Sequence, residues 1–153
     1  MRKIASFTVD HDKLEKGMYI SRIDGDVVTY DIRMKLPNGG DYLNMSVAHT
    51  LEHLFATYAR NSEFGDKVIY VGPMGCRTGF YFLVRDSVSP TQAIALVKAS
   101  MAFVRDFEGE IPGSKKEECG NYLDHDLAGA KAIGADMYRV LENWQEKDLQ
   151  YKI

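Results

Sequence analysis

One stretch constrains the fold more than any other. Val28, Tyr30, Ile32, Met34 and Leu36 alternate with Thr29, Asp31, Arg33 and Lys35. A period of two predicts a half-buried strand, apolar on one face and polar on the other. Pro37-Asn38-Gly39-Gly40 ends it, and Asp24-Gly25-Asp26 turns the chain into it. Short strands are expected at Ser6–Val9 and Met18–Arg22, around a turn near Lys16-Gly17. Val68–Val71 and Phe80–Val84 read as two more strands, apolar on successive residues as in strands covered on both faces. The strands come in clusters instead of alternating regularly with helices. That predicts an α+β fold: a mostly antiparallel β-sheet with helices packed on one face.

The helices are equally readable. From Val47 to about Arg60, a turn of about 100° per residue gathers Val47, Leu51, Leu54, Phe55 and Tyr58 on one side. Ser89-Pro90-Thr91-Gln92 has a cap, a proline at the first position and a Gln three residues after the Ser. Ile94, Val97, Met101 and Val104 then form a buried face. Glu108–Tyr122 reads as a loop and Leu127–Glu146 as a last helix, weakened slightly by Gly129 and Gly134. At 153 residues, 45% of them hydrophobic, residues 1–153 are expected to form a single domain around one core.

A net charge of −3 argues against nucleic acid or an anionic membrane surface as the main partner. No apolar run approaches the roughly 18 residues of a membrane span, and no apolar stretch follows the basic residues near Met1 as in a signal peptide. The chain is expected to be cytoplasmic. Two cysteines cannot staple a fold of this size and are expected to stay reduced there. The chemistry therefore turns on Cys76, Cys119 and four histidines.

His49-Thr50-Leu51-Glu52-His53 is the sharpest local feature. Two His at i and i+4 share a helix face and are close enough to share a metal ion. Glu52 lies beside them, and the core stripe is supplied without them. The order His-x-x-Glu-His is also the inverted zinc-peptidase motif, so a small metallopeptidase with Glu52 as general base is an alternative. A third ligand is needed, and Glu117, Glu118 or Cys119 can supply it. Two imidazoles and a thiolate leave one position open, as catalytic sites do. Cys76 sits in Pro73-Met74-Gly75-Cys76-Arg77-Thr78-Gly79, where Arg77 can favour thiolate; a structural Cys in a tight turn fits the same pattern. His125, between Asp124 and Asp126, reads as a local hydrogen-bonding residue.

Together these residues resemble the S-ribosylhomocysteine lyase (LuxS) family. Ser6-Phe7-Thr8-Val9-Asp10-His11, Tyr30-Asp31-Ile32-Arg33, the His49–His53 segment, the Pro73–Gly79 turn, Cys119-Gly120 and His125-Asp126-Leu127 occur in the family's order. The resemblance implies a homodimer with active sites at the interface and S-ribosylhomocysteine as substrate. It implies one divalent ion per subunit on His49, His53 and Cys119, with Fe(II) native and Zn(II) or Co(II) able to replace it. Glu52 and Cys76 carry over as the acid/base pair, and Ser6, His11 and Arg33 as substrate contacts. The products would be homocysteine and 4,5-dihydroxy-2,3-pentanedione, the autoinducer-2 precursor. One position departs: Tyr70 stands where family members often have Asp.

Overall fold

The computed structural model describes residues 1–152. Four strands form one antiparallel sheet: β1 (Gly17–Asp24), β2 (Val27–Arg33), β3 (Val68–Pro73) and β4 (Gly79–Arg85), in the order β1-β2-β4-β3. The helices are α1 (Met45–Asn61), α2 (Pro90–Asp106) and α3 (Leu127–Leu141). They cover one sheet face and share a single core with it, in which Phe55 of α1 packs against Phe80 and Phe82 of β4. This is the expected α+β architecture. No helix among the described residues is long and apolar enough to cross a membrane.

The helix ends follow local chemistry. The Asn44 side chain accepts from the Ser46 and Val47 amides and starts α1. Ser89 and Gln92 form the capping box expected at α2, with Pro90 in the first turn. Asp126 caps α3 by accepting from the Gly129 amide at 2.8 Å. Gly134 is no weakness in α3. A Cβ there would press on Val104 and on the α2 backbone at Met101 and Arg105, so its absence lets the two helices approach closely.

Four expectations need correction. Ser6–Val9 is not a strand; Ala5–Phe7 is a 3-10 turn closed by local bonds such as Phe7 N–H to the Ile4 carbonyl. The last helix stops at Leu141, and a 3-10 turn at Glu146–Leu149 follows. Trp144 redirects the chain there by donating its indole N–H to the Met18 carbonyl at 2.9 Å. The third and fourth corrections are a pair. β2 is buried on both faces: Asp31 and Arg33, on its polar side, are 1% and 3% exposed. β3 and β4 are instead the strands with an open face, where Tyr70 is 51% exposed and Tyr81 and Leu83 are half-buried. Side-chain polarity misled the reading of both faces. A carboxylate and a guanidinium two residues apart on one strand satisfy each other, and so can be buried.

Candidate active site

The helix face opposite the core stripe of α1 carries His49, Glu52 and His53, all half-buried. The two imidazole rings lie 4.6 Å apart, centre to centre. His49 Nδ1 donates to the Asp124 carbonyl at 2.7 Å, and His53 Nδ1 donates to the Pro112 carbonyl at 2.8 Å. A carbonyl only accepts, so the proton of each neutral ring is on Nδ1 and the lone pair is on Nε2. Second partners of this kind are what fix metal-binding histidines. Gly113, at φ +72°, makes the left-handed turn beside His53 that a side chain would strain.

The loop between α2 and α3 brings Cys119 to the same place. Its Sγ lies 3.4 Å from His49 Nε2. Of the candidates for a third ligand, the thiol thus lies beside His49. His125 also joins the cluster. Its ring stacks on His49 at 4.1 Å, and ligand atoms of His49, His53 and His125 lie within 4.8 Å of one another. Burial first, then the neighbouring imidazoles, pushes the His125 pKa down and keeps that ring neutral. Sequence reasoning gave His125 only a hydrogen-bonding role. The signal available was its place one residue before the cap of α3, which pins it against α1. Convergent imidazoles and a thiol fit a divalent ion such as zinc, cobalt or ferrous iron.

Cys76 is exposed in the β3–β4 turn. Its Sγ is 3.1 Å from Thr78 Oγ1. Thr78 Oγ1 accepts from Arg33 Nη1 at 2.7 Å, which leaves its own proton free to point at the sulfur. Behind Thr78, Arg33 Nε and Nη2 donate to both oxygens of Asp31, and the Tyr151 hydroxyl donates to the same carboxylate at 2.7 Å. The buried cation facing Cys76 is therefore Arg33, through Thr78. Arg77, next to Cys76 in sequence, instead holds its guanidinium over the Tyr42 ring at 5.9 Å. Arg77 is left-handed, at φ 62°, which costs roughly 1–2 kcal/mol. Bonds from its amide to the Met74 carbonyl and from the Leu43 amide to its own carbonyl hold it there.

The two loci face adjoining hollows. A cavity of about 620 Å³ is lined by His49 and Glu52 together with Gly75, Arg77 and Asp124. A second, of about 330 Å³, is lined by Cys76, His11 and Thr78, and shares Gly75 and Arg77 with the first. His11 is thus at the thiol; Ser6 is not. Ser6 lines a third cavity of about 280 Å³ with Tyr70, Tyr81 and Arg22. The departure at Tyr70 therefore falls on the Ser6 cavity and away from Cys76.

A small α+β protein with a histidine–thiol locus that fits a metal, beside a separate exposed thiol, is the class these features define. The S-ribosylhomocysteinase (LuxS) family model matches residues 4–148. S-ribosylhomocysteine lyases of Clostridium acetobutylicum and Phocaeicola vulgatus are 45% and 46% identical to it, with 99% of this chain covered in each case and 99% and 98% of the relatives. That of Porphyromonas gingivalis strain ATCC 33277 is 45% identical over 99% of both chains. The chain belongs to the S-ribosylhomocysteinase (LuxS) family, a family of lyases.

Proposed function

We propose that the chain cleaves the thioether of S-ribosylhomocysteine to homocysteine and 4,5-dihydroxy-2,3-pentanedione. The observation that supports this is the adjacency of the two hollows, one lined by Glu52 and the other by Cys76, which share Gly75 and Arg77. The thioether of the closed sugar has no activated neighbour. The sugar must open, and its carbonyl must move from the first carbon to the third. Only then is the carbon–sulfur bond beta to a carbonyl, so that loss of a proton expels the thiolate. Each migration removes a proton from one carbon and returns it to the next. A group that alternates between base and acid near neutral pH is required.

Cys76 is assigned that shuttle. The Thr78 hydroxyl, held by Arg33, lies within hydrogen-bond reach of its sulfur. Glu52, lining the metal-side hollow, is assigned mainly the proton removed at elimination. His49, His53 and Cys119 would hold one divalent ion, native Fe(II) replaceable by Zn(II) or Co(II), and such an ion supplies Lewis-acid stabilisation of developing negative oxygen. His11 would hold substrate hydroxyls beside Cys76. Arg33 serves the substrate from behind the thiol, since its guanidinium is buried and bonded to Asp31 and Thr78.

A homodimer with active sites at the interface is part of the same proposal. Exposed Tyr42 and Met45 line the two site hollows, while exposed Ile4 and Tyr70 line the Ser6 cavity. Large apolar side chains so placed suit coverage by a second copy. That copy would also bring Ser6 to a site it does not reach within one chain. The proposed location is the cytoplasm, where both thiols stay reduced. The metallopeptidase alternative has no comparable support.

The test follows free thiol from S-ribosylhomocysteine with anaerobic, Fe(II)-loaded protein. Stoichiometric homocysteine is expected. Absence of thiol release with metal fully loaded would overturn the lyase reading, and peptide hydrolysis by the same protein would restore the peptidase.

A further inference from the structure

We propose that His125 is a fourth metal donor, whose Nε2 holds the ion with His49 and His53 when Cys119 is not coordinated. The proposal deepens the metal-site reading and rests on it. His125 Nε2 is buried and has no hydrogen-bond partner among the described residues. A buried polar atom left unpaired is destabilising, so this nitrogen calls for a partner.

The tautomer follows from Thr50. Its Oγ1 accepts from the Asp126 amide at 2.9 Å and lies 3.2 Å from the Ser46 carbonyl, which can only accept. The single hydroxyl proton goes to that carbonyl. His125 Nδ1, 3.0 Å from the same oxygen, is then the donor, and the lone pair is on Nε2. All three imidazoles of the cluster therefore carry the proton on Nδ1 and present Nε2, and their ligand atoms lie within 4.8 Å of one another. This is the state that binds a cation.

The anchoring of the donors differs. Both neighbours of His125 are tied to α1: the Asp124 carbonyl accepts from His49, and the Asp126 amide donates to Thr50. Asp126 also caps α3. Cys119 has no such tie. Among the described residues its sulfur lies near His49 Nε2 and its own loop's Asn121 amide, at 3.4 Å each. Two imidazoles are thus carried by α1 and the third is tied to α1 through both its neighbours, while the thiol lies farther back in the same loop without that tie. Three nitrogens suffice for a zinc or cobalt site. With the thiolate absent, the ion keeps its place but loses a negative ligand.

The test measures bound Zn(II) after gel filtration, and the visible spectrum of the Co(II) form, for wild type, Cys119→Ala, His125→Phe and the double variant. Phenylalanine keeps a ring stacked on His49, and circular dichroism with thermal melting reports folding. Cys119→Ala is expected to retain a stoichiometric ion while losing the sulfur-to-cobalt charge-transfer band. His125→Phe is expected to keep the ion through Cys119, and the folded double variant to lose it. Loss of the ion in Cys119→Ala alone would overturn the proposal, as would retention in the double variant equal to that in Cys119→Ala. Wild type that takes up no zinc would overturn the metal site itself; zinc uptake without lyase turnover leaves the donor proposal intact and removes only the activity.

Discussion

The metal locus and the thiol locus adjoin, yet they are built in opposite ways. His49 and His53 are placed by one turn of α1, and their orientation comes from two loop carbonyls. Cys76 sits on an exposed turn, and its environment comes from beneath. The chain of contacts runs through Thr78 to a buried Arg33–Asp31 pair and on to Tyr151 near the end of the described residues. One locus is a local spacing with long-range orientation. The other is an exposed thiol with a buried charge behind it. The difference teaches where each is fragile: the first to changes in its ligands, the second to changes a full layer away from the sulfur.

The largest expected effect separates chemistry from scaffold. Glu52→Gln should keep metal and fold but slow thiol release by about 10²–10⁴-fold, the range general acid–base catalysis contributes. Steady-state homocysteine release checks this. A His49→Ala, His53→Ala double variant should lose the ion altogether, read by metal analysis, while its thermal melt without added metal stays near that of the apo wild type. A metal-loaded double variant would mean that the ion is held elsewhere.

On the thiol side, Asp31→Asn leaves Arg33 buried without its counter-charge. Removing one partner of a buried pair costs about 3–5 kcal/mol, to be read by urea unfolding. It should also change the rate at which Cys76 reacts with iodoacetamide, raising it because the Arg33 charge beneath Thr78 is no longer offset, with no change in zinc content. An effect on zinc and none on the thiol would reverse the comparison.

Tyr151→Phe should be the mildest change. It removes one hydrogen bond to a charged group, about 1.5–3 kcal/mol. Burial, then the Asp31 charge, raises the Tyr151 pKa well above its usual value near 10.0. The folded state therefore binds this proton more tightly than the unfolded one. The stabilisation is full below about pH 10 and is lost as pH rises beyond it. The wild type should lose stability in alkali more steeply than Tyr151→Phe, as pH-dependent urea midpoints would show.

Much of the metal locus was legible in sequence because it is local. An i, i+4 spacing on a helix whose core stripe lies elsewhere needs no tertiary knowledge. The partners that orient it were not legible, since Pro112 and Asp124 come from a loop with no periodic pattern. The hydrogen bond expected of His125 is present, to Thr50, but its stacking on His49 depends on the same loop and is not legible in sequence. Around Cys76, the turn was legible and its support was not. The antiparallel register that sets Arg33 opposite Gly79, beside Thr78, is a long-range fact. Asp31 and Arg33 looked solvent-facing because pattern reading assigns charge to water, and two charges that satisfy each other escape that rule. Arg77 was the obvious cation by adjacency, but adjacency along a turn does not place a guanidinium at a sulfur.

The most direct test of this division of labour is one preparation of Cys76→Ala assayed twice, for bound metal and for homocysteine release. The expected result is metal content equal to wild type with thiol release abolished. Loss of the ion together with activity would contradict it, because Cys76 would then belong to the metal locus and the two regions would be one.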